Sequence, residues 1–458
     1  MKNFIVWTRG YTVDLAEALS YKLTSLGKNC EIWTMEIKAY NWLISKDVKC
    51  IYCPDKINAF KAPDHQYLNA LEFQLRTSFN IGLAEIYEME RYTERLGLSG
   101  LNHQAMWLYN SIQNNTTIVS FTMDHAVFIL AGFIARIKNG SSRYLQPVGF
   151  PANSAVFLSS PGEFVNCNNR GDTRALELLE SYTASINCRP EEVLNYMAKN
   201  RIPNVLYRLM NKYALIKNLV ELRKNKFSYL NIKSDGKVLI PDTILGIGRH
   251  REKGCLDLSE LKRLKSHQNR IFYFPLHLEP EMTLMVYSNL FRSQSELIRI
   301  VSSQLSLGDV LIVKENPKTF LRYKNFYNDI GRLKNVVWAS RNINSRDIIG
   351  CVDKVISISG TASIEAAIMG KNSLFLGKPP FYNVLVQKPL IDLPLTKWRD
   401  AIYRFHTKED IYLRLKTEGL IFIEKTIQFS MVPHLNGNNR QLDFNDKDLN
   451  NLLDNILK

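Results

Sequence analysis

Residues 354–376 read KVISISGTASIEAAIMGKNSLFL, and this stretch decides the fold class. Lys354 to Ser359 is an apolar, β-branched run that predicts a strand. Gly360 permits a tight turn and close backbone approach. Thr361 or Ser363 can cap a helix over Ser363 to Met369, and Ser373 to Leu376 reads as the next strand. Strand, tight turn, short helix, strand is one unit of a parallel sheet.

The same rhythm extends outward. Strands are predicted at Val238–Ile240, Ile271–Pro275, Val310–Lys314 and Val336–Trp338, with helices at Asn289–Leu305, Phe320–Gly331 and Ser345–Cys351 between them. Near-continuous apolar strands alternating with helices indicate a parallel sheet covered on both faces. A second series opens the chain: strand Phe4–Trp7, loop Thr8-Arg9-Gly10, then a helix capped by Asp14. That helix carries Leu15, Leu19, Leu23 and Leu26 at helical spacing, stops at Gly27, and leads to a strand at Cys30–Met35. Glu72–Gly100 reads as helix, Thr117–Phe121 as strand, Thr122–His125 as a short loop before a helix from Ala126, and Pro147–Ser160 as loop and short strand. Asp172–Lys226, broken at Pro190 and Pro203, reads as a helical connector. The last helix places Leu449, Leu452, Leu453, Ile456 and Leu457 on one face and is expected to pack back on the body.

These readings divide the chain at 1–165, 166–235, 236–390 and 391–458. Two parallel sheets in one chain imply a cleft between them, with ligands at the carboxyl ends of the strands.

The totals set limits. At 458 residues the chain suits two domains, and 45% hydrophobic with 22% charged residues is ordinary globular composition. A net charge of +15 favours anionic partners. The basic residues are scattered, and no zinc-finger or RNA-recognition signature is present, so nucleic acid is not the expected partner. Seven irregularly spaced cysteines suit a reducing compartment. Cys50 and Cys53 form a lone C-x-x-C without a second pair, so buried strand cysteines are the better reading. No signal peptide and no run of ~18 apolar residues is present, which points to a cytoplasmic protein, with its basic surface as a means of resting on a membrane.

Chemistry concentrates at strand ends. Ser359, Gly360, Thr361 and Ser363 offer hydroxyls and a helix N-terminus to a phosphate, and Glu365 is placed to accept from ribose hydroxyls. Two further polar loops close strands of the same sheet: Lys314-Glu315-Asn316-Pro317-Lys318, and His277-Leu278-Glu279-Pro280-Glu281. Lys314 or Lys318 can meet phosphate charge, and His277 can donate to a phosphate or base. In the first half, Asp124 follows a strand and can act as base or nucleophile, with His125 orienting it or relaying a proton; helix capping explains the pair equally well. Arg9 is a candidate carboxylate or phosphate contact. Asp446 and Asp448 look like a metal-binding pair, but their place ahead of the last helix suggests capping, so no metal and no cofactor is expected.

The run FYFPLHLEPEMTL, RSQSELIRIVSSQL, VLIVKENPK, NVVWAS and KVISISGTASIEAAIMGKNSLFLG resembles the bacterial capsule polysaccharide biosynthesis family, which contains transferases of Kdo and related ulosonic acids. The resemblance covers about Gly236 to Tyr382. It implies an α/β protein of the GT-B class: two Rossmann-like parallel-sheet domains facing a cleft, with a helical connector. It implies metal-independent transfer of an acidic sugar from a nucleotide, CMP being favoured, to a surface polysaccharide or lipid-linked glycan. Carried onto this chain, it implies donor-phosphate contacts at Ser359, Gly360 and Thr361, a ribose contact at Glu365, and a nucleotide lying beside Lys314–Pro317. The family usually has His-Pro where this chain has Asn316-Pro317, and Asn cannot carry a proton at neutral pH. A sugar-nucleotide 2-epimerase of the same fold, or a non-catalytic glycan-binding protein, remain the alternatives.

Overall fold

The structure is a computed structural model. It describes residues 3–59, 97–121, 126–151, 153–160, 163–164, 174–185, 247–248, 254–267, 270–278, 287–288, 293–316, 322–323, 325–433 and 440–457. In chain order the first half contains β1 (Asn3–Thr8), α1 (Val13–Ser25), β2 (Asn29–Thr34), α2 (Ile37–Ser45), β3 (Cys50–Tyr52) and α3 (Cys53–Ala59). It continues through α4 (Gly97–Ser111), β4 (Thr116–Ser120), α5 (Ala126–Ile137), β5 (Ser141–Val148), β6 (Ser154–Ser160), β7 (Glu163–Phe164) and α6 (Arg174–Ser185). The second half contains β8 (Ile247–Gly248), α7 (Leu258–His267), β9 (Ile271–Pro275), α8 (Gln294–Ser303), β10 (Val310–Lys314), β11 (Arg322–Tyr323), α9 (Phe326–Gly331) and β12 (Val336–Ala339). Then come α10 (Ser345–Cys351), β13 (Lys354–Ser357), α11 (Ala362–Ile368), β14 (Asn372–Phe375), α12 (Trp398–Tyr403) and α13 (Lys408–Glu424). The chain finishes with β15 (Ile427–Gln428), β16 (Ser430–Pro433), β17 (Arg440–Asp443) and α14 (Asp446–Leu457).

Two sheets organise these elements, which is the α/β class expected. The first runs β15-β6-β5-β4-β1-β2-β3, with β7 on β6; the second runs β12-β10-β9-β13-β14. The core β3-β2-β1-β4-β5 is parallel, as is every pairing in the second sheet. Alternation explains the unbroken apolar runs. Ile5 and Trp7 enter one core with Trp33 and Ile118, while Phe4 and Val6 enter another with Ile32 and Val119. In the second sheet Phe272, Phe274 and Ile356 face one layer, and Ile271, Tyr273 and Val355 the opposite one. Both faces are covered, so such strands carry apolar side chains toward both layers.

The structure also revises several expectations. Pro147–Ser160 is not mainly loop: β5 and β6 form an antiparallel pair, Tyr144 opposite Leu158 through Val148 opposite Ser154. Asp14 lies inside the first turn of α1, where the N-cap is Thr12, and Leu26 is 50% exposed rather than on the buried face. Cys53 opens α3 instead of continuing the strand. Asp446 opens α14, so it and Asp448 lie within that helix's first turn rather than ahead of it. Val238–Ile240 and the connector beyond Ser185 lie outside the described residues.

The ends of the chain meet. Leu449, Leu452, Leu453 and Ile456 of α14 bury against Phe4, Val6 and Leu19, and β15 pairs antiparallel with β6. The two halves share an apolar seam. Phe150, just past β5, stacks on Phe422 of α13 at 5.9 Å and meets Phe381 edge-on at 6.3 Å. Ile364, Ala367 and Phe375 of the second half belong to the same buried cluster as Phe150, Tyr144 and Leu158 of the first. Each fully buried side chain of this size contributes about 1.5–3 kcal/mol, so the seam fixes one half against the other.

Candidate functional site

Strand order places the site. In the second sheet the chain builds outward from β9 to β10 and β12, then returns to lay β13 on the opposite flank of β9 and β14 beyond it. The direction of winding therefore reverses between β9 and β13, which opens a crevice at their carboxyl ends. His277 leaves β9 there, and Ser359-Gly360 leaves β13.

The two loops touch. A Cβ on Gly360 would lie 3.1 Å from His277 Cε1 and 3.3 Å from Nε2. The Ser359 N–H points at His277 Nε2 across 3.4 Å. The ring crowds the space that a side chain at 360 would take, and glycine leaves that space open.

His277 is held by its backbone. The Gln294 amide, at the start of α8, accepts from the His277 N–H at 2.8 Å and donates to its carbonyl at 3.1 Å. Arg322 Nη2 donates to the same carbonyl at 2.6 Å. Arg322 in turn forms a two-pronged pair with Glu315, Nη2 to Oε1 at 2.6 Å and Nε to Oε2 at 3.1 Å, with neither side chain exposed. Tyr327 donates its hydroxyl to Glu315 at 2.7 Å, and the Asn316 N–H donates at 2.8 Å. Burial alone would push the Glu315 carboxyl up; the Arg322 bonds and charge, with the Tyr327 and Asn316 donors, outweigh it and hold the group below the usual carboxylate range. The carboxyl ends of β9 and β10 are thus locked into one unit.

On the β13 side, Thr361 donates to Glu365 Oε1 at 3.1 Å, and Arg346 Nε lies 3.7 Å from Glu365 Oε2. The Arg341 guanidinium donates to the Asn316 carbonyl at 3.4 Å. Arg341 and Arg346 follow β12, a fourth strand end on the same rim. Sequence reasoning passed over them, although the signal was available: a polar turn closing an apolar strand, like the other three.

Other residues are placed differently from expectation. The Ser363 hydroxyl faces inward, 2.8 Å from Ser357 Oγ and 3.3 Å from the Leu374 carbonyl, so it is not a donor to a bound phosphate. Neither Thr361 nor Ser363 caps α11 through its side chain. Lys314 is buried, and its carbonyl accepts from Leu276 N at 3.0 Å. Pro317, Lys318, Glu279 and Glu281 lie outside the described residues.

The first sheet reverses between β1 and β4, since β2 and β3 lie on one flank and β4 and β5 on the other. Arg9 leaves β1 there. Its Nε lies 3.0 Å from Glu36 Oε1, and Glu36 Oε2 accepts from Gly10 N at 2.7 Å, both side chains being nearly buried. Arg9 therefore ties the loop after β1 to the start of α2. Asp124 and His125 lie outside the described residues, between Phe121 and Ala126. The turn after β5 reaches the other half: a Cβ on Gly149 would come within 2.6 Å of Thr361 Cγ2. The carboxyl edges of the two sheets meet at that contact. Burial pushes the Cys50 thiol up to about 12 and Cys53 well above its ordinary value, which disfavours the thiolate a metal needs.

No protein-family model and no curated protein matches the chain. Solved structures that it resembles include a KpsC beta Kdo 2,7 transferase from Thermosulfurimonas dismutans, at 10% identity and TM-score 0.32, covering 100% of this chain and 99% of that one. HepE of Anabaena in complex with UDP-glucose matches at 10% identity and TM-score 0.27, covering 93% and 98%. A UDP-N-acetylglucosamine 2-epimerase assigned in Listeria monocytogenes matches at 10% and 0.22, covering 93% and 90%. At these scores the likenesses carry no weight; the two-sheet architecture rests on the strand pairing itself.

Proposed function

We propose that the chain is a GT-B glycosyltransferase that moves a sugar, Kdo or a related acidic sugar, from a nucleotide to a bacterial surface glycan or lipid-linked acceptor. The observation that carries this reading is the contact of His277 with Ser359-Gly360 at the reversal point of the second sheet, the place where open α/β sheets take nucleotides. The donor phosphate lies against the Ser359–Thr361 turn, with Arg346 and Arg341 supplying charge. Glu365 retains acceptor capacity beyond its Thr361 bond, and that capacity suits ribose hydroxyls. CMP is the nucleotide expected, and no metal is invoked because these arginines already supply positive charge.

In the reaction Asp124 removes the proton from an acceptor hydroxyl. The oxygen bonds to the anomeric carbon as the bond from that carbon to the phosphate oxygen breaks, and the nucleotide leaves with the electron pair. His125 orients Asp124. If Asp124 attacks carbon instead, the sugar is held covalently and passed on in a second displacement. The protein works on the cytoplasmic side of the membrane, near its acceptor.

Nucleotide release from CMP-Kdo, followed with and without a glycan acceptor, tests this reading. Release should require acceptor and be lost in Asp124→Ala. Conversion of a nucleotide sugar without acceptor would make the protein an epimerase, and release insensitive to Asp124→Ala would remove that residue's role.

A further inference from the structure

The edge of the second sheet opposite the crevice is a separate surface. There α8 turns into β10 through Ser306, Leu307 and Gly308, with Gly308 at φ +92. Leu307 is fully exposed, at 101%. Arg399 donates to the Gln304 carbonyl at 2.8 Å and to Ser306 Oγ at 2.9 Å, which brings α12 alongside this turn. One turn before Arg399, Leu395 is 54% exposed in the 3-10 helix Leu395–Lys397.

The surroundings are cationic. Arg270 immediately precedes β9, Arg332 and Lys334 precede β12, and Lys397, Arg399 and Arg404 flank α12; all six are exposed. Acidic groups nearby are engaged: Asp309 is buried and takes the Tyr403 hydroxyl, and Asp400 lies 3.7 Å from Lys397. Lys354, buried at the foot of β13, reports the same crowding. Burial, with the charges of Arg404 and Arg270 added, pulls it down to about 7.

Positive charge alone suits a polyanionic glycan, nucleic acid or lipid. Aliphatic side chains standing clear among cations gain by entering an apolar phase, and the headgroup boundary of an anionic bilayer joins that gain to the charge. Among the described residues, the other groups of exposed apolar side chains, Tyr21, Leu26 and Ile44 about α1 and α2 and Tyr412, Leu413 and Ile421 on α13, lie beside carboxylates: Glu17 and Asp14 at 3.0 and 3.8 Å from Lys46, and Glu418 at 3.2 Å from Arg414. We propose that this edge of the second sheet seats the protein on an anionic lipid bilayer, with Leu307 and Leu395 entering the headgroup boundary and the six basic side chains meeting lipid charge. This deepens the membrane placement of the proposed function and does not depend on the nucleotide site.

Co-sedimentation of the full chain with vesicles of phosphatidylcholine alone, or mixed with phosphatidylglycerol, tests it. Binding should appear only with phosphatidylglycerol and weaken with salt. Each basic residue near such a surface contributes about a fivefold factor, so Lys334→Glu with Lys397→Glu should weaken binding by more than about twentyfold. Leu307→Ser with Leu395→Ser should weaken it about tenfold while leaving Tm unchanged, since neither side chain packs on the core. Absence of wild-type binding overturns the proposal, and so does full affinity in the leucine variant, which would mean attraction by charge alone. Both variants should keep any nucleotide-induced rise in Tm, so the two claims fail separately.

Discussion

Gly360 and His277 show how one missing side chain shapes a site. Gly360→Ala places a methyl 3.1 Å from the ring, so the ring must move from the Ser359 turn. We expect a folding cost of about 1 kcal/mol, measured by urea denaturation, and weaker nucleotide binding. Glu315 and Arg322 behave differently because they are a buried pair. Arg322→Ala leaves a carboxylate without its counter-charge and should cost about 3–5 kcal/mol by the same measurement. Replacing both, Arg322→Met with Glu315→Leu, removes the uncompensated charge but also takes an acceptor from the Tyr327 hydroxyl and the Asn316 N–H, so only part of that loss should return. The pair also sets an acid limit. Its folded carboxyl sits below the unfolded value of about 4.3, so its stabilisation is complete above that pH and is lost as pH falls through the depressed value. Denaturation between neutral pH and about pH 3 should therefore fall off less steeply in Glu315→Gln. Neither partner was legible as such in the sequence. The two stand seven residues apart in sequence, and only tertiary folding brings Arg322 under the His277 carbonyl.

At the scale of elements, β9, β10 and α10 match the sequence reading to the residue: the strands because apolar runs with both faces buried leave no competing pattern, and α10 because Asn344 caps its start, accepting from Arg346 N at 3.2 Å. The β5–β6 pair was missed because Pro147, Gly149 and Pro151 punctuate it as a loop; the sheet tolerates Pro147 at the end of a strand. β15 is two residues long, too short for any period to register. Four strand ends form the rim, and three were legible; Arg341 and Arg346 were not singled out because charged residues after a strand are also common solvated turns. α13 is set by its cap: Thr407 accepts from Asp410 N at 3.1 Å, and Asp410 accepts in return from Thr407 N at 3.2 Å. Thr407→Ala should cost about 1 kcal/mol in thermal or urea unfolding, and because α13 carries Phe422 of the seam, the loss should appear in the global transition rather than as local fraying.

The whole molecule depends on the meeting of its two carboxyl edges. Gly149 allows Thr361 to come close, and Gly149→Ala should press on Thr361 Cγ2 and cost about 1–3 kcal/mol. Thr361→Ser removes that methyl, so the double variant should regain stability that neither a bad backbone nor a lost fold could restore. The same edges frame the crevice between β9 and β13, which we propose takes the nucleotide. The most direct measurement is the thermal unfolding of the full chain with CMP, UDP, GDP and dTDP over a range of concentrations. A nucleotide held between β9 and β13 stabilises by about 2.7 kcal/mol at a hundredfold excess over its Kd, so Tm should climb with concentration for CMP and do so less steeply in Glu365→Ala. An unchanged Tm with all four nucleotides would mean that the crevice takes none of them.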